Sequence, residues 1–186
     1  LPMITQFYIH KPLYFFVGQD FTAEEIVMTG RTPYQGRFLG TSVNDKEAVL
    51  RAFSLTKANR LKDKKFAILS GGEKQKIVIA RAVAQTTPWM LLDEPIASLD
   101  IKNQIEIMQT LLELNRQEGV SVLMVLHDIN LAGIYCDRLI MLKDGQVIAA
   151  GNTNECLCEE NLKKLYDISF FHMDTKKGQR YYYAEI

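Results

Sequence analysis

An apolar run that stops abruptly at two carboxylates constrains the fold of this chain most strongly. Residues 89–92 are Trp-Met-Leu-Leu, and Asp93, Glu94 and Pro95 follow directly. A short, continuous apolar run is typical of a strand buried in a parallel sheet, and proline ends such a strand. Open α/β sheets place their ligands at the carboxyl ends of their strands. Asp93 is therefore a candidate ligand for Mg²⁺ and Glu94 a candidate for polarising a water, although a solvated acid pair is the alternative.

The segment after these acids alternates between helix and strand patterns. Asp100 is expected to cap a helix, and a second apolar run, 120–126, ends at His127 and Asp128. A right-handed crossover would place the second strand beside the first, although a lone histidine at a strand end is more often structural than catalytic. The predicted order is strand 89–93, helix 101–118, strand 120–126, helix 129–135, strand 138–143 and strand 146–150, with a hairpin turn at Asp144-Gly145.

A third feature, upstream of the acids, is a helix start that could hold an anion. Ser70 is expected to cap the helix, and Glu73, three residues later, to complete a capping box. Gly71 and Gly72 have no side chains, so a phosphate could approach their backbone N–H groups. An ordinary capped helix is the alternative.

Together these motifs resemble those of the ATP-binding cassette (ABC) ATPases. Residues 69–75, Leu-Ser-Gly-Gly-Glu-Lys-Gln, match the family's signature loop, and residues 91–94 match its Walker B segment. Residues 98–100 match the D-loop, and His127 matches the switch histidine. Four motifs in this order are highly specific, and the resemblance runs from about Phe21 to the C-terminus. It implies an α/β fold of the P-loop NTPase type, with a parallel sheet and a helical subdomain.

The resemblance also implies a composite active site with ATP and Mg²⁺ as cofactors. ATP would be sandwiched between the phosphate loop of one cassette and the signature loop of a second, most simply in a homodimer. Asp93 would order Mg²⁺, Glu94 would orient the water, and His127 would contact the γ-phosphate. The remaining residues assigned to the site are Ser70, Gly71, Gly72, Glu73 and Gln75 in the signature loop and Ser98 and Asp100 in the D-loop.

One element of the family pattern is missing from the 186 residues. No G-x-x-x-x-G-K-[ST] phosphate loop occurs, and the nearest string, residues 36–42, lacks the lysine. The chain begins at Leu1 without a methionine, so we expect an N-terminally truncated cassette, a processed or partial form, or an incomplete sequence. The family's glutamine loop would fall on Gln6 or Gln19, and neither has the expected spacing; Gln6 is slightly favoured.

The residue pattern divides the chain into four segments, and the resemblance implies the part of a cassette that each one forms. On that resemblance, residues 1–19 are a remnant of the ATP-binding core, and 20–88 form a helical subdomain that ends in the signature motif. This segment begins with a capping box at Thr22 and contains a second helix over 45–53. Residues 89–150 form the catalytic core, and 151–186 form a tail with a helix at 161–166 and a hairpin of strands 169–173 and 179–186. The balance of 22 basic and 22 acidic residues argues against a nucleic-acid partner.

Further strings resemble one branch of the family, the importers of iron-siderophore complexes, haem and cobalamin. Gly30-Arg31-Thr32-Pro33 resembles their Gly-Arg-x-Pro segment, and residues 127–137 resemble their His-Asp-x-Asn pattern. This implies transmembrane permease subunits as partners, an indirectly linked substrate-binding protein, and a cytoplasmic location at the inner face of the membrane. The alternatives are an inactive fragment or regulatory half-cassette and a non-transport ABC ATPase.

Overall fold

The structure, a computed structural model, describes residues 21–35, 40–176 and 178–185, and it divides the chain into two units. The first unit is Leu1–Val125 and the second is Leu126–Ile186. The two glutamines proposed for the glutamine loop, Gln6 and Gln19, lie outside the described residues. Each unit is described by itself below.

The first unit begins with a group of helices whose ends carry their own capping signals. Helix α1, Ala23–Met28, starts at the predicted Thr22 capping box and continues into a 3-10 helix, Thr29–Tyr34. Helix α2 spans Val43–Leu55, which is two residues longer at each end than predicted. The helix starts at a further capping box, formed by Ser42 and Asp45, which the sequence prediction did not recognise. Helix α3 spans Gly71–Ala84.

These helices share one apolar core. Phe53, Ile77 and Val49 are fully buried, and Leu69 is buried just before α3 begins. The other buried members of this core are Ala23, Ile26, Val27, Ala52, Ala58, Leu61, Phe66, Val78, Ala80 and Ala84. Closely packed side chains therefore contact the start of α3 on its inner side and support the signature segment.

A parallel strand pair completes the first unit. Strand β1, Trp89–Asp93, pairs with β2, Ser121–Val125, and helix α4, Ile101–Glu118, connects them. The bounds of β1 and α4 are those predicted, and β2 is one residue shorter at each end. The carboxyl ends of the strands meet in register, with Asp93 opposite Val125. The sequence predicts that β2 is buried, but Leu123 in this strand is 52% exposed. Among the described residues β2 pairs only with β1, so its other edge is not covered by a further strand.

The second unit consists of short helices and two hairpins. Its elements are α5 (Ile129–Tyr135), β3 (Arg138–Lys143), β4 (Gln146–Asn152), α6 (Thr153–Cys156), α7 (Glu159–Tyr166), β5 (Phe170–Asp174) and β6 (Arg180–Ala184). The predicted turn between β3 and β4 is present, with φ of 51° at Asp144 and 76° at Gly145. Leu162 and Tyr182 are buried in its core. Within the described ranges, no helix is long and apolar enough to cross a membrane.

Candidate functional site

The start of α3 has the capping geometry that its sequence predicts. The Ser70 backbone N–H donates to Glu73 Oε2 at 3.0 Å, and the Glu73 N–H donates to Ser70 Oγ at 3.3 Å. The hydrogen bond from the Ser70 backbone N–H, followed by one between the Ser70 side chain and the Glu73 carboxylate, holds the pKa of Glu73 below its usual value, and Lys64 adds a weaker effect. Glu73 is therefore ionised at neutral pH. Because a carboxylate repels phosphate, its position suits holding the helix start rather than contacting an anion.

Gly71 and Gly72 occupy the first two positions of α3, whose N–H groups have no acceptor within the helix. Their surroundings differ. A Cβ at the exposed Gly71 would lie 3.7 Å from Leu99 Cδ2, an ordinary contact. A Cβ at the buried Gly72 would lie 2.3 Å from Asn103 Oδ1 on α4. Sequence reasoning explained both glycines by access for phosphate and missed Asn103, because no local pattern links residue 72 to residue 103.

The two acids after β1 lie on a tight turn with unusual backbone geometry. Asp93 is the last residue of the strand, and Glu94 has a φ of 46°. The carbonyl of Glu94 accepts from the Ala97 N–H at 3.2 Å, and Ser98 has a φ of 64°. Left-handed conformations in non-glycine residues are uncommon, cost about 1–3 kcal/mol each, and cluster at functional sites. Two of them within five residues mark the turn from Glu94 to Ser98 as a candidate functional segment.

Asp100 caps α4, as predicted, and uses both carboxylate oxygens to do so. Oδ1 accepts from the Asn103 backbone N–H at 2.9 Å, and Oδ2 accepts from Asn103 Nδ2 at 2.6 Å. These two bonds, the backbone one first, hold the pKa of Asp100 below its usual value. The starts of α3 and α4 are thus adjacent, and a Lys76 Nζ–Glu106 Oε2 ion pair of 2.6 Å joins the same helices further along. The signature and D-loop motifs therefore lie together in the first unit.

His127, the residue expected to be the switch histidine, lies in the second unit. His127 is exposed and follows the last residue of β2 by two positions. The neighbouring acid, Asp128, caps α5: its Oδ1 accepts from the Asn130 N–H at 2.8 Å and the Leu131 N–H at 2.9 Å. Asp128 thus has a structural role that accounts for its place beside the histidine.

The residues present fit a magnesium ion that is bound together with a phosphate. Across residues 21–35, 40–176 and 178–185, no group of three or more His, Cys, Asp or Glu side chains could hold a metal ion. Magnesium commonly takes one or two carboxylates and completes its coordination with substrate phosphates and water. Asp93, half-buried at a strand end, suits that arrangement.

Sequence comparison places these features in a family. The sequence model of the ABC transporter family matches residues 11–97. The chain is 39% identical over 155 residues to the ferric enterobactin transport ATP-binding protein FepC of Escherichia coli, covering 83% of this chain and 57% of FepC. It is 38% identical over 151 residues to the cobalamin import ATP-binding protein BtuD of Halobacterium salinarum, covering 81% of this chain and 37% of BtuD. The chain therefore spans about half of FepC's length and less of BtuD's.

Solved structures agree with this relationship. A chain from an inward-facing ABC transporter described as metal-chelate type superimposes with a TM-score of 0.84 at 26% identity, covering 89% of this chain and 67% of that one. A dimeric bacterial ABC transporter cassette superimposes with a TM-score of 0.61 at 34% identity, covering 75% of this chain and 60% of that one. The α/β fold expected from the resemblance is confirmed. The chain belongs to the ATP-binding proteins of the ABC transporter family.

Proposed function

We propose that this chain is part of the ATP-hydrolysing subunit of an ABC importer that carries an iron-siderophore complex, haem or cobalamin. The observation that carries the proposal is the placement of the signature and D-loop motifs side by side, with the Walker B acids on the turn that leads into the D-loop. Dimerisation of a similar cassette supports a second cassette as partner. The names of FepC and BtuD, together with the segment at Gly30, support a metal-chelate cargo.

In this proposal the first unit supplies half of a composite site. Ser70 and the N–H groups of Gly71 and Gly72 bind the γ-phosphate of an ATP held by the partner cassette, aided by the positive end of the α3 dipole. Gln75, on the first turns of α3, belongs to the same signature surface. The glycines bring the backbone close, so phosphate recognition depends on the main chain. Ser98 and Asp100 face the partner and couple the two sites.

The water-activating step falls to the residues after β1. Glu94, held in a left-handed turn, accepts a hydrogen bond from the attacking water and orients it toward the γ-phosphate. Asp93 would hold Mg²⁺, which would neutralise charge on the phosphates when bound. His127 donates a hydrogen bond to a γ-phosphate oxygen from the switch position. Because phosphoryl transfer depends mainly on positioning and charge stabilisation, hydrolysis becomes tied to closure of the two cassettes.

The segment boundaries remain part of the proposal: 1–19 and 89–150 in the ATP-binding core, 20–88 as the helical subdomain, and 151–186 as the tail. Permease subunits, and through them a substrate-binding protein, are the proposed partners at the cytoplasmic face of the membrane. The competing function is an inactive or regulatory half-cassette, because residues 1–186 contain no phosphate loop. We expect this chain by itself to bind little ATP for the same reason.

The enzymatic proposal is tested by measuring ATP hydrolysis. The protein used is the longest one encoded by the reading frame that contains this chain. Replacing Glu94 by Gln keeps the side-chain size and removes the carboxylate, and we expect the rate to fall at least about 100-fold. The matched control is Glu47→Gln, an exposed glutamate on α2, which should leave the rate unchanged. Equal rates in the parent protein and the E94Q variant would contradict the proposal and favour the regulatory half-cassette.

Uptake by cells tests the cargo. A strain that produces only the E94Q variant would be supplied separately with a ferric siderophore, haemin and cobalamin, and the uptake of each measured against the parent strain. We expect uptake of one of these to be lost while that of the others is retained. Unchanged uptake of all three compounds would contradict a metal-chelate cargo. It would not affect the ATPase assignment, which depends on the hydrolysis measurement.

A further inference from the structure

The side-chain amide of Asn103 lies between the signature helix and the D-loop. Its Nδ2 donates to Asp100 Oδ2 at 2.6 Å, and its backbone N–H donates to Asp100 Oδ1 at 2.9 Å. Its opposite side faces Gly72, where a Cβ would lie 2.3 Å from Oδ1, 2.4 Å from Cγ and 2.9 Å from Nδ2. All three atoms are inside the distance that real Cβ atoms keep from neighbours, so the amide fits only because residue 72 is glycine.

The amide is held in this position by a charged partner. Hydrogen bonds to an ionised carboxylate are shorter and stronger than those between neutral groups, and the 2.6 Å contact to Asp100 is of this kind. Both carboxylate oxygens of Asp100 accept a hydrogen bond from Asn103, which orients the carboxylate at the start of α4. The Lys76–Glu106 ion pair fixes the same two helices further along. The start of α3 therefore packs against the start of α4 at the Asn103 amide, and one ion pair joins the two helices beyond it.

We propose that Asn103 is a positioning residue that couples the signature loop to the D-loop within one chain. The inference rests on the proposed function, in which both loops face the partner cassette. Two independently mobile loops would each have to be ordered when the cassettes close, and that ordering opposes association. With the Asn103 amide between Gly72 and Asp100, the loops meet the partner as one preorganised surface.

A double-mutant cycle of melting temperatures tests the contact between Gly72 and Asn103, and this measurement does not require ATP. Gly72→Ala should force the amide out of its slot and lower the melting temperature by about 4 °C, because inserted methyl groups overpack a tight contact. In an Asn103→Ala background, which removes all three crowding atoms, the same substitution should cost under about 1 °C. The matched control is Gly71→Ala, whose Cβ meets only Leu99 at 3.7 Å. An equal cost of G72A in both backgrounds would overturn the coupling.

Hydrolysis by the longest reading-frame product tests the positioning role. Asn103→Ala should lower kcat about tenfold or more through misplacement of the loops, while KM for ATP stays near that of the parent. Gln109→Ala, an exposed amide on the same helix, should change neither. Asn103→Asp keeps the shape but places a second carboxylate against Asp100. Its activity relative to the parent should recover as the pH falls and the new carboxyl is protonated.

The outcomes separate this inference from the proposed function. An unchanged kcat in the N103A variant, or an N103D-to-parent ratio that does not vary with pH, would overturn the positioning role. A parent protein that hydrolyses ATP no faster than its E94Q variant would instead refute the proposed function. In that case a non-additive effect of G72A and N103A on the melting temperature would show only that Asn103 contributes to stability. The positioning role would then be refuted together with the proposed function.

Discussion

Arg31 and Asp45 form a buried ion pair between the 3-10 helix and α2. Arg31 Nε donates to Asp45 Oδ1 at 2.9 Å, and the two side chains are 9% and 4% exposed. Arg31 Nη1 also donates to the carbonyl of Ala84 at 2.8 Å, near the end of α3, and its guanidinium carbon lies 4.0 Å from the centre of the Tyr34 ring. The Gly-Arg-x-Pro segment that resembles importer cassettes thus has a direct structural role, since its arginine joins three helical segments.

Removing the charge of Arg31 should destabilise the first unit strongly. Arg31→Met keeps much of the apolar length but leaves the Asp45 carboxylate buried without its partner, and we expect a loss of about 3 kcal/mol in the free energy of unfolding. The matched control is Arg51→Ala, which breaks an exposed pair with Glu118 and should cost less than about 1 kcal/mol. Urea unfolding followed by circular dichroism would measure both values. Similar losses would show that the buried pair contributes no more than a surface pair.

Stability should fall in acid partly through Asp45. The Ser42 hydroxyl and backbone N–H, followed by Arg31, hold the pKa of Asp45 below its usual value in the folded state. A folded pKa below the unfolded value of about 3.9 means that this contribution is fully present above that pH and is lost as the pH falls through the folded pKa. The stability difference between the parent chain and Asp45→Asn should therefore shrink below about pH 4. Urea midpoints between neutral pH and acid would measure it, and a difference independent of pH would contradict the assignment.

Gly30 should tolerate no side chain. A Cβ there would lie 2.3 Å from the backbone carbonyl oxygen of Arg81, which cannot rotate away as a flexible side chain could. Gly30→Ala should therefore cost about 1–3 kcal/mol and lower the melting temperature by several degrees. Gly71→Ala provides the comparison, because its added methyl meets only Leu99 Cδ2 at 3.7 Å. Calorimetry of both variants decides the point, and an equal drop in melting temperature would refute the steric explanation.

The capping box at the signature helix should contribute measurably to stability. Ser70→Ala removes the hydroxyl that accepts from the Glu73 N–H, and loss of such a cap costs about 1 kcal/mol. Ser54→Ala, at an exposed position of α2, removes the same hydroxyl away from any N-cap and should stay within about 0.5 kcal/mol of the parent. Chemical unfolding of the two variants compares them directly. A larger loss for S54A would contradict the capping assignment.

Several elements could be predicted because each end carries its own local signal. Pro95 ends β1, Asp100 caps α4, and Asp144-Gly145 turns β3 into β4, and all three predictions agree with the structure. The start of helix α2 was predicted two residues too late because the Ser42–Asp45 box was not recognised. The left-handed backbone of Glu94 had no local signal at all, since glutamate does not favour that conformation.

The order of the motifs and the family could be read from the chain alone, because capping residues, apolar periodicity and a run of identical motif residues are all local properties. The packing of the helices explains why a side chain at residue 72 would collide with Asn103, and which groups pair with the charge of Arg31. Asn103 is remote from Gly72 in the chain, and the carbonyl that binds Arg31 lies 53 residues away from it. Such contacts exist only after helices pack, and their distances depend on how the helices meet rather than on any pattern along the chain.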